Sequence, residues 1–383
     1  MHCFSFYTNL FISSVLFLSA CTTTKKTIQP NVGISSLKYL DSYEIPFNLK
    51  YKNTSVGGLS GIDYDAKNDW YYLISDDRSD KNPARFYKAK IFISKKGIDS
   101  LDFIDVENML QQDEKVYPSN LQNRVKVPDP EAIRYNPEKN FLVWSSEGER
   151  FVKVKDTVLI NPTVIMIRPN GKYIDSFALP ENMKMKATEK GPRRNGVFEG
   201  MTFADNYKTL YVNVEEPLYE DGHRADVVEN DAFVRIIKFD VKHKKSTAQY
   251  AYKLAPVAFA AKPENEFKIN GVPDILNLGN NKLLIIERSF STGRLPCTIR
   301  VFIADLNDAT DVSKITLKDN LTFKAARKTM LINMDDLGIY TDNIEGVTFG
   351  PRLPNGHKTL LFIADNNFTV VEKAQILLFE IIE

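Results

Sequence analysis

The chain writes one pattern of polar and apolar positions five times: an acidic or polar residue, a short apolar strand, a turn, a second and more uniformly apolar strand, then another acid. It reads LSGIDYDAKNDWYYLISDDR over 59–78, PEAIRYNPEKNFLVWSSEGE over 130–149 and FEGMTFADNYKTLYVNVEEP over 198–217. Looser copies are PDILNLGNNKLLIIERS over 273–289 and IEGVTFGPRLPNGHKTLLFIADNN over 344–367. With Gly61, Ala132, Gly200, Ile275 and Gly346 taken as equivalent, the steps are 71, 68, 75 and 71 residues. Repetition at a fixed period points to a propeller or a solenoid. Two further strand patterns follow in the second repeat (163–168, 172–179) and in the third (233–240, 246–254), rich in Val, Ile, Tyr and Phe and separated by Asn, Asp, Gly and Lys. No long helical periodicity interrupts them, which argues against parallel βαβ units. Four antiparallel strands repeated radially are propeller blades. The fifth repeat has only a third strand before the chain ends, and an orphan strand over 36–47 precedes the first repeat. The expected fold is therefore an all-β propeller of five four-stranded blades, the last completed by the N-terminal strand so that no long edge stays free. A period near 70 exceeds the roughly 40–50 residues of a usual blade, which leaves room for long loops or a sixth blade.

Residues 1–20 carry no Lys, Arg, Asp or Glu and end in Leu18-Ser19-Ala20 before Cys21. A short apolar stretch closed by small residues before a Cys resembles a bacterial lipoprotein signal, with Cys21 as the lipidated residue. Ordinary secretion and a membrane anchor are the alternatives, but the stretch contains Thr8, Asn9, Ser13 and Ser14 and falls short of the roughly 20 apolar residues that span a bilayer. The division expected is a signal over 1–20, a polar tether over 21–35 and a propeller over 36–383, held at the bacterial cell envelope by lipid. After cleavage Cys21 and Cys297 remain, which leaves no intramolecular disulfide, and a domain of this size can stand on its core. The 50 Lys and Arg nearly balance the 49 Asp and Glu, so no basic face for nucleic acid is indicated.

The repeat sets its acids at fixed points. One precedes the first strand: Glu131, Glu199, Asp274 and Glu345, with Ser60 in the first repeat. A second follows the next strand: Asp76, Glu147, Glu215, Glu287 and Asp365. First strands line a propeller's central channel, so these acids converge near the axis and raise one another's pKa unless a cation or Arg neutralises them. Calcium, which accepts six to eight oxygen ligands, is the cofactor this suggests, with Glu131, Glu199, Glu215, Glu287, Glu345 and Asp365 as ligands. The competing account is that the acids cap turns and pair with Arg78, Arg134 and Arg288. Arg78, Arg85 and Arg288 beside acids would suit bidentate contact to a phosphate.

Other chemistries have less behind them. His223, His243 and His357 do not assemble a zinc pattern. Gly57-Gly58-Leu59-Ser60-Gly61 lacks the G-x-S-x-G spacing of a nucleophile elbow, and Ser60 reads as a blade position. No EF-hand, P-loop or dinucleotide fingerprint is present.

GGLSGIDYD with SDDRS and NPARFY, DPEAIRY with WSSEGE, FEGMTF with TLYVNVEEPLYEDG, LLIIERSF, and NIEGVTFGPRLPNGHKTL with ADNNF together resemble the phytase-like propeller family described by the esterase-like activity of phytase. These segments spread from Gly57 to Phe368. The resemblance implies a propeller related to calcium-dependent phytases, secreted or lipid-anchored, acting on a small-molecule phosphate ester. On that reading the metal ligands hold calcium against the phosphate, Arg78, Arg85 and Arg288 stabilise charge on its oxygens, and Glu147 or Asp76 serves as general base. A non-catalytic binding module is the alternative from another class, and a carboxylesterase is a third reading without its nucleophile motif.

Overall fold

A computed structural model describes residues 32–318 and 322–383 together with the first two residues of the chain. The expected signal and Cys21, with most of the tether, lie outside the described residues. Among the described residues no helix is long and apolar enough to cross a membrane.

Five four-stranded antiparallel sheets make the ring. Blade one runs outward from Leu59–Asp65 through Trp70–Ser75 and Arg85–Ser94 to Gly97–Asn108. Blade two comprises Pro130–Asn136, Phe141–Ser146, Thr163–Ile167 and Tyr173–Ser176, with an inserted hairpin of Glu149–Lys153 and Asp156–Ile160. Blade three is Phe198–Ala204, Thr209–Val214, Phe233–Asp240 and Lys245–Lys253. Blade four is Ile275–Gly279, Lys282–Ser291, Thr298–Asp305 and Arg327–Asn333, with Lys268–Gly271 added beside the long second strand. Blade five takes Asn343–Phe349, Thr359–Asp365 and Ala374–Ile382 from the end of the chain and Ser36–Ile45 from its beginning. The closure read from the orphan strand is thus found, Ser36 opposite Ile382 and Ile45 opposite Ala374, and the extra length per repeat lies in loops and insertions rather than in a sixth blade.

Each blade is covered on both faces by its neighbours, so inner strands such as LLFIA over 360–364 are buried at every position instead of alternating. Among the described residues, five of the six buried apolar clusters lie one at each junction, and the sixth gathers Phe233, Ala251, Val312 and Leu317. Trp144 and Phe86 pack between blades one and two, Phe198 and Phe203 between two and three, and Ile285 and Tyr252 between three and four. Phe362 and Ile299 fill the fourth junction, and Leu73 with Leu378 the seam where the ring closes. Full burial of one such aliphatic or aromatic side chain is worth about 1.5–3 kcal/mol, so each junction is a core in its own right.

The five innermost strands touch one another around the axis. They approach so closely that a Cβ on Gly61 would lie 2.9 Å from the Glu131 carbonyl oxygen, and one on Gly346 would lie 3.1 Å from the Gly61 Cα. In blades one, two, three and five the pairing of the first two strands shifts just before these positions, between Leu59 and Gly61, Pro130 and Ile133, Phe198 and Met201, and Ile344 and Gly346. Such bulges re-aim the extra side chain. Blade four has no shift there.

The first strands start and the second strands end at one rim, here called the mouth. The N-terminal segment enters at the opposite rim: the Val32 amide donates to the Leu278 carbonyl at the far end of a first strand.

Candidate metal centre

The four bulges turn Ser60, Glu131, Glu199 and Glu345 toward the axis, and the second strands of the same blades deliver Asp76, Glu147, Glu215 and Asp365 at the mouth. Blade four departs from the expected register by one residue. The Ile286 amide donates to the Asp274 carbonyl, and Asp274 packs against Gly200, in the slot that Gly or Ala fills elsewhere. Two residues beyond Ile286 comes Arg288, where the other blades place an acid. A slip of one residue in a strand turns each side chain to the other face, and this accounts for both departures in this blade.

Asp274 therefore ligates nothing at the mouth. It accepts two hydrogen bonds from Arg134 at 2.8 and 2.6 Å and one each from the Val347 and Ile275 amides. Arg134 reaches across the axis from blade two and also donates to the carbonyls of Ile62, Met201, Ile275 and Val347, so that one side chain ties all five blades. Glu287 points the other way, into the junction of blades three and four. Its oxygens accept from the Tyr252 hydroxyl, the Ala255 amide, Asn270 and Lys328, all within 3.0 Å, and it is fully buried there rather than offered to a metal. Arg85 is likewise spent inside blade one, on Asp77 at 2.7 Å, the Ser55 carbonyl and the Tyr87 hydroxyl, too far committed to meet a substrate. Ser60 donates to the Glu131 carbonyl, as a blade position should.

The remaining residues converge. Arg288 bridges Glu215 at 2.8 Å and also pairs with Glu345. Arg78, at the rim with its side chain 27% exposed, lies 3.4 Å from Asp129 and 3.3 Å from Glu149. Asp129 was missed in the sequence, although the run Asp129-Pro130-Glu131 signals it. The ligand oxygens of Asp76, Asp129 and Glu131 lie within 4.8 Å of one another, as do those of Glu131, Glu147 and Glu199. Glu131 belongs to both groupings. One oxygen of Asp365 is buried with no hydrogen-bond partner among the described residues.

Eight carboxylates (Asp76, Asp129, Glu131, Glu147, Glu199, Glu215, Glu345, Asp365) thus meet two guanidinium groups. Burial first, and neighbouring acids second, push the pKa of Asp76, Glu131, Glu199 and Asp365 well above the carboxylate range. Asp129 is raised to about 8 by burial, against the lowering pull of Arg78. Glu147 is raised to about 7 by burial and by Glu215. Glu345 is raised by burial, against the lowering pull of Arg288. A donor set made wholly of carboxylate oxygens, in excess over its basic partners, fits a hard divalent cation and not a soft one.

A family model described as phytase-like, esterase-like activity of phytase, matches residues 54–368. No curated protein matches the chain. Among solved structures, an endo-arabinase from Bacteroides thetaiotaomicron VPI-5482 is similar at 12% identity over 88% of this chain and 98% of that one, with a TM-score of 0.43. A thermostable family-43 glycoside hydrolase is 9% identical over 86% and 92%, with a TM-score of 0.47. A gluconolactonase from Xanthomonas campestris is 11% identical over 83% and 71%, with a TM-score of 0.33.

Proposed function

The chain belongs to the phytase-like family, and from that premise we propose that it is a phosphohydrolase that cleaves a small-molecule phosphate ester at the mouth of the propeller with the help of calcium. The observation that carries the reading is the surplus of buried carboxylate at the mouth. Without a cation these acids can lie together only by keeping protons, and once ionised they would repel one another and an arriving phosphate ester by several kcal/mol where water is scarce. A cation between the two resolves the conflict.

Asp76, Asp129 and Glu131, and Glu131, Glu147 and Glu199, would hold the ion or ions. Calcium bound there would neutralise phosphoryl oxygens and make a water more acidic. The chain's own residues divide the remaining work. Arg288 satisfies Glu215 and Glu345, which keeps those two acids in place without an ion. Arg78 is the guanidinium at the rim, held by Asp129 and Glu149 and partly exposed, and it can receive a phosphoryl oxygen as a substrate arrives. Asp76 and Glu147 sit inside the two groupings and so serve the ion before they serve a proton. Cys21 would carry the lipid that keeps the enzyme at the cell envelope.

The test is phosphate release by the chain from residue 21 onward, with Cys21→Ser, from phytate, nucleotides and sugar phosphates, in calcium and in chelator. Release that needs calcium, and that falls by at least a hundredfold in Glu131→Gln, is the expected result. A folded protein whose melting temperature rises with calcium but which releases nothing would instead be a binding module.

A further inference from the structure

A cavity of about 550 Å³ opens beside blade three, away from the axial acids, and is lined by Arg193, His223, Arg224, Asp226 and Lys268 among others. Its size suits a small molecule, and its lining reverses the sign of the axial cluster. The cations are fixed in advance. Arg193 donates to the carbonyls of Pro217 and Gly222, both at 2.8 Å, and stacks 4.4 Å from the Tyr219 ring centroid. Arg224 donates to Glu216 at 2.8 Å, and Lys268 lies 3.5 Å from Asp226. Arg193 has no carboxylate partner among the described residues. Burial and the neighbouring Arg224 hold its pKa below the usual guanidinium value, against the raising pull of Glu216 and Glu189.

We infer that this cleft is a binding site for a phosphoryl-type dianion, separate from the metal centre. Two guanidinium groups and an ammonium approach the space from different elements, namely the loop before blade three, the loop after its second strand, and the added strand of blade four. Donors arrayed around a volume match a tetrahedral oxyanion, whereas a planar carboxylate is satisfied by a single bidentate fork. Because the cations are already immobilised by carbonyl, ring and carboxylate contacts, little side-chain entropy is left to lose on binding. The cleft lies near the mouth: Arg193 is four residues from Val197, whose amide donates to Glu147, a span of at most about 14 Å of extended chain. The inference does not depend on hydrolysis at the axis.

Calorimetric titration of inorganic phosphate into the chain from residue 21 carrying Arg78→Gln, in the presence of chelator, isolates this site, because both the ion and the rim guanidinium that could receive phosphate at the axis are then removed. Binding is expected, weakened at least tenfold in Arg193→Gln and in Arg224→Gln and several-fold in Lys268→Gln. Lys268→Gln disturbs only an ion pair at 3.5 Å and keeps the test sound if either arginine variant folds poorly. Absence of phosphate binding in chelator, unchanged binding in the folded variants, or tighter binding of acetate than of phosphate would each overturn the assignment.

Discussion

Arg134 does at the axis what no apolar side chain could, because five inward carbonyl rows meet there without a sixth strand to pair them. Its bonds to four carbonyls and to Asp274 satisfy groups that would otherwise be buried without partners. Removing one partner of a fully buried pair costs about 3–5 kcal/mol, so Arg134→Met should lower the denaturation free energy by that much. The double variant Arg134→Met, Asp274→Leu should regain part of the loss, as read by denaturant titration. Arg288→Ala makes a different prediction. It strips Glu215 and Glu345 of their cation, so in chelator the variant should melt several degrees below the wild type, and calcium should raise its melting temperature by more than it raises that of the wild type. That Arg78, Arg134 and Arg288 pair with acids was legible in the sequence as the competing account of the repeat, but not which acid each one meets. Arg134 and Asp274 stand 140 positions apart, and nothing in the local pattern around either marks a bond across the axis. Asp129 was legible in principle, two residues before an acid that the repeat singled out.

At the level of strands, the pattern of apolar positions revealed nearly everything about the ring, since burial on both faces leaves long apolar runs that cannot be mistaken for loops. What it concealed was register. Four blades carry a bulge ahead of the inner Gly or Ala and one does not, and a bulge leaves no compositional mark beyond the small residue that follows it. PDIL in blade four therefore aligned by its acid when its backbone aligned otherwise, and Glu287 followed Asp274 out of the cluster. The closing strand was legible because it had no partner within its own repeat. It covers the Ala374–Ile382 edge along its whole length, and deletion of residues 32–45 should expose that edge and part of the apolar junction beneath. The truncated protein should elute as soluble aggregates in size-exclusion chromatography, where the full propeller elutes as a single folded species.

For the molecule as a whole, the axial acids set how stability depends on pH. Without an ion, Asp129 and Glu147 keep their protons up to about 8 and about 7, against 3.8 and 4.5 for free side chains. The folded state therefore binds more protons than the unfolded one across that window, and stability falls as pH rises through it. Melting in chelator should accordingly decline from about pH 4.5 to about pH 8. Saturating calcium should flatten or reverse the slope, because an ion favours the ionised acids and stabilises only the folded ring. A slope of the opposite sign in chelator would mean that the acids are neutralised by something other than protons.

The entry of the chain at the rim opposite the mouth has a consequence for orientation. If Cys21 carries a lipid, as proposed, the anchor would join the ring at the rim opposite the mouth, where the Val32 amide meets Leu278, and the opening would be free to face away from the membrane. With Cys21 in a bilayer, the carboxylates would look outward by the full height of a blade, and solutes would reach them from the bulk phase without passing between protein and lipid. On that proposal the strand that closes the ring would take any pull on the anchor first, in shear along its hydrogen bonds to Ala374–Ile382, and the last blade would be where tethering and folding are mechanically joined.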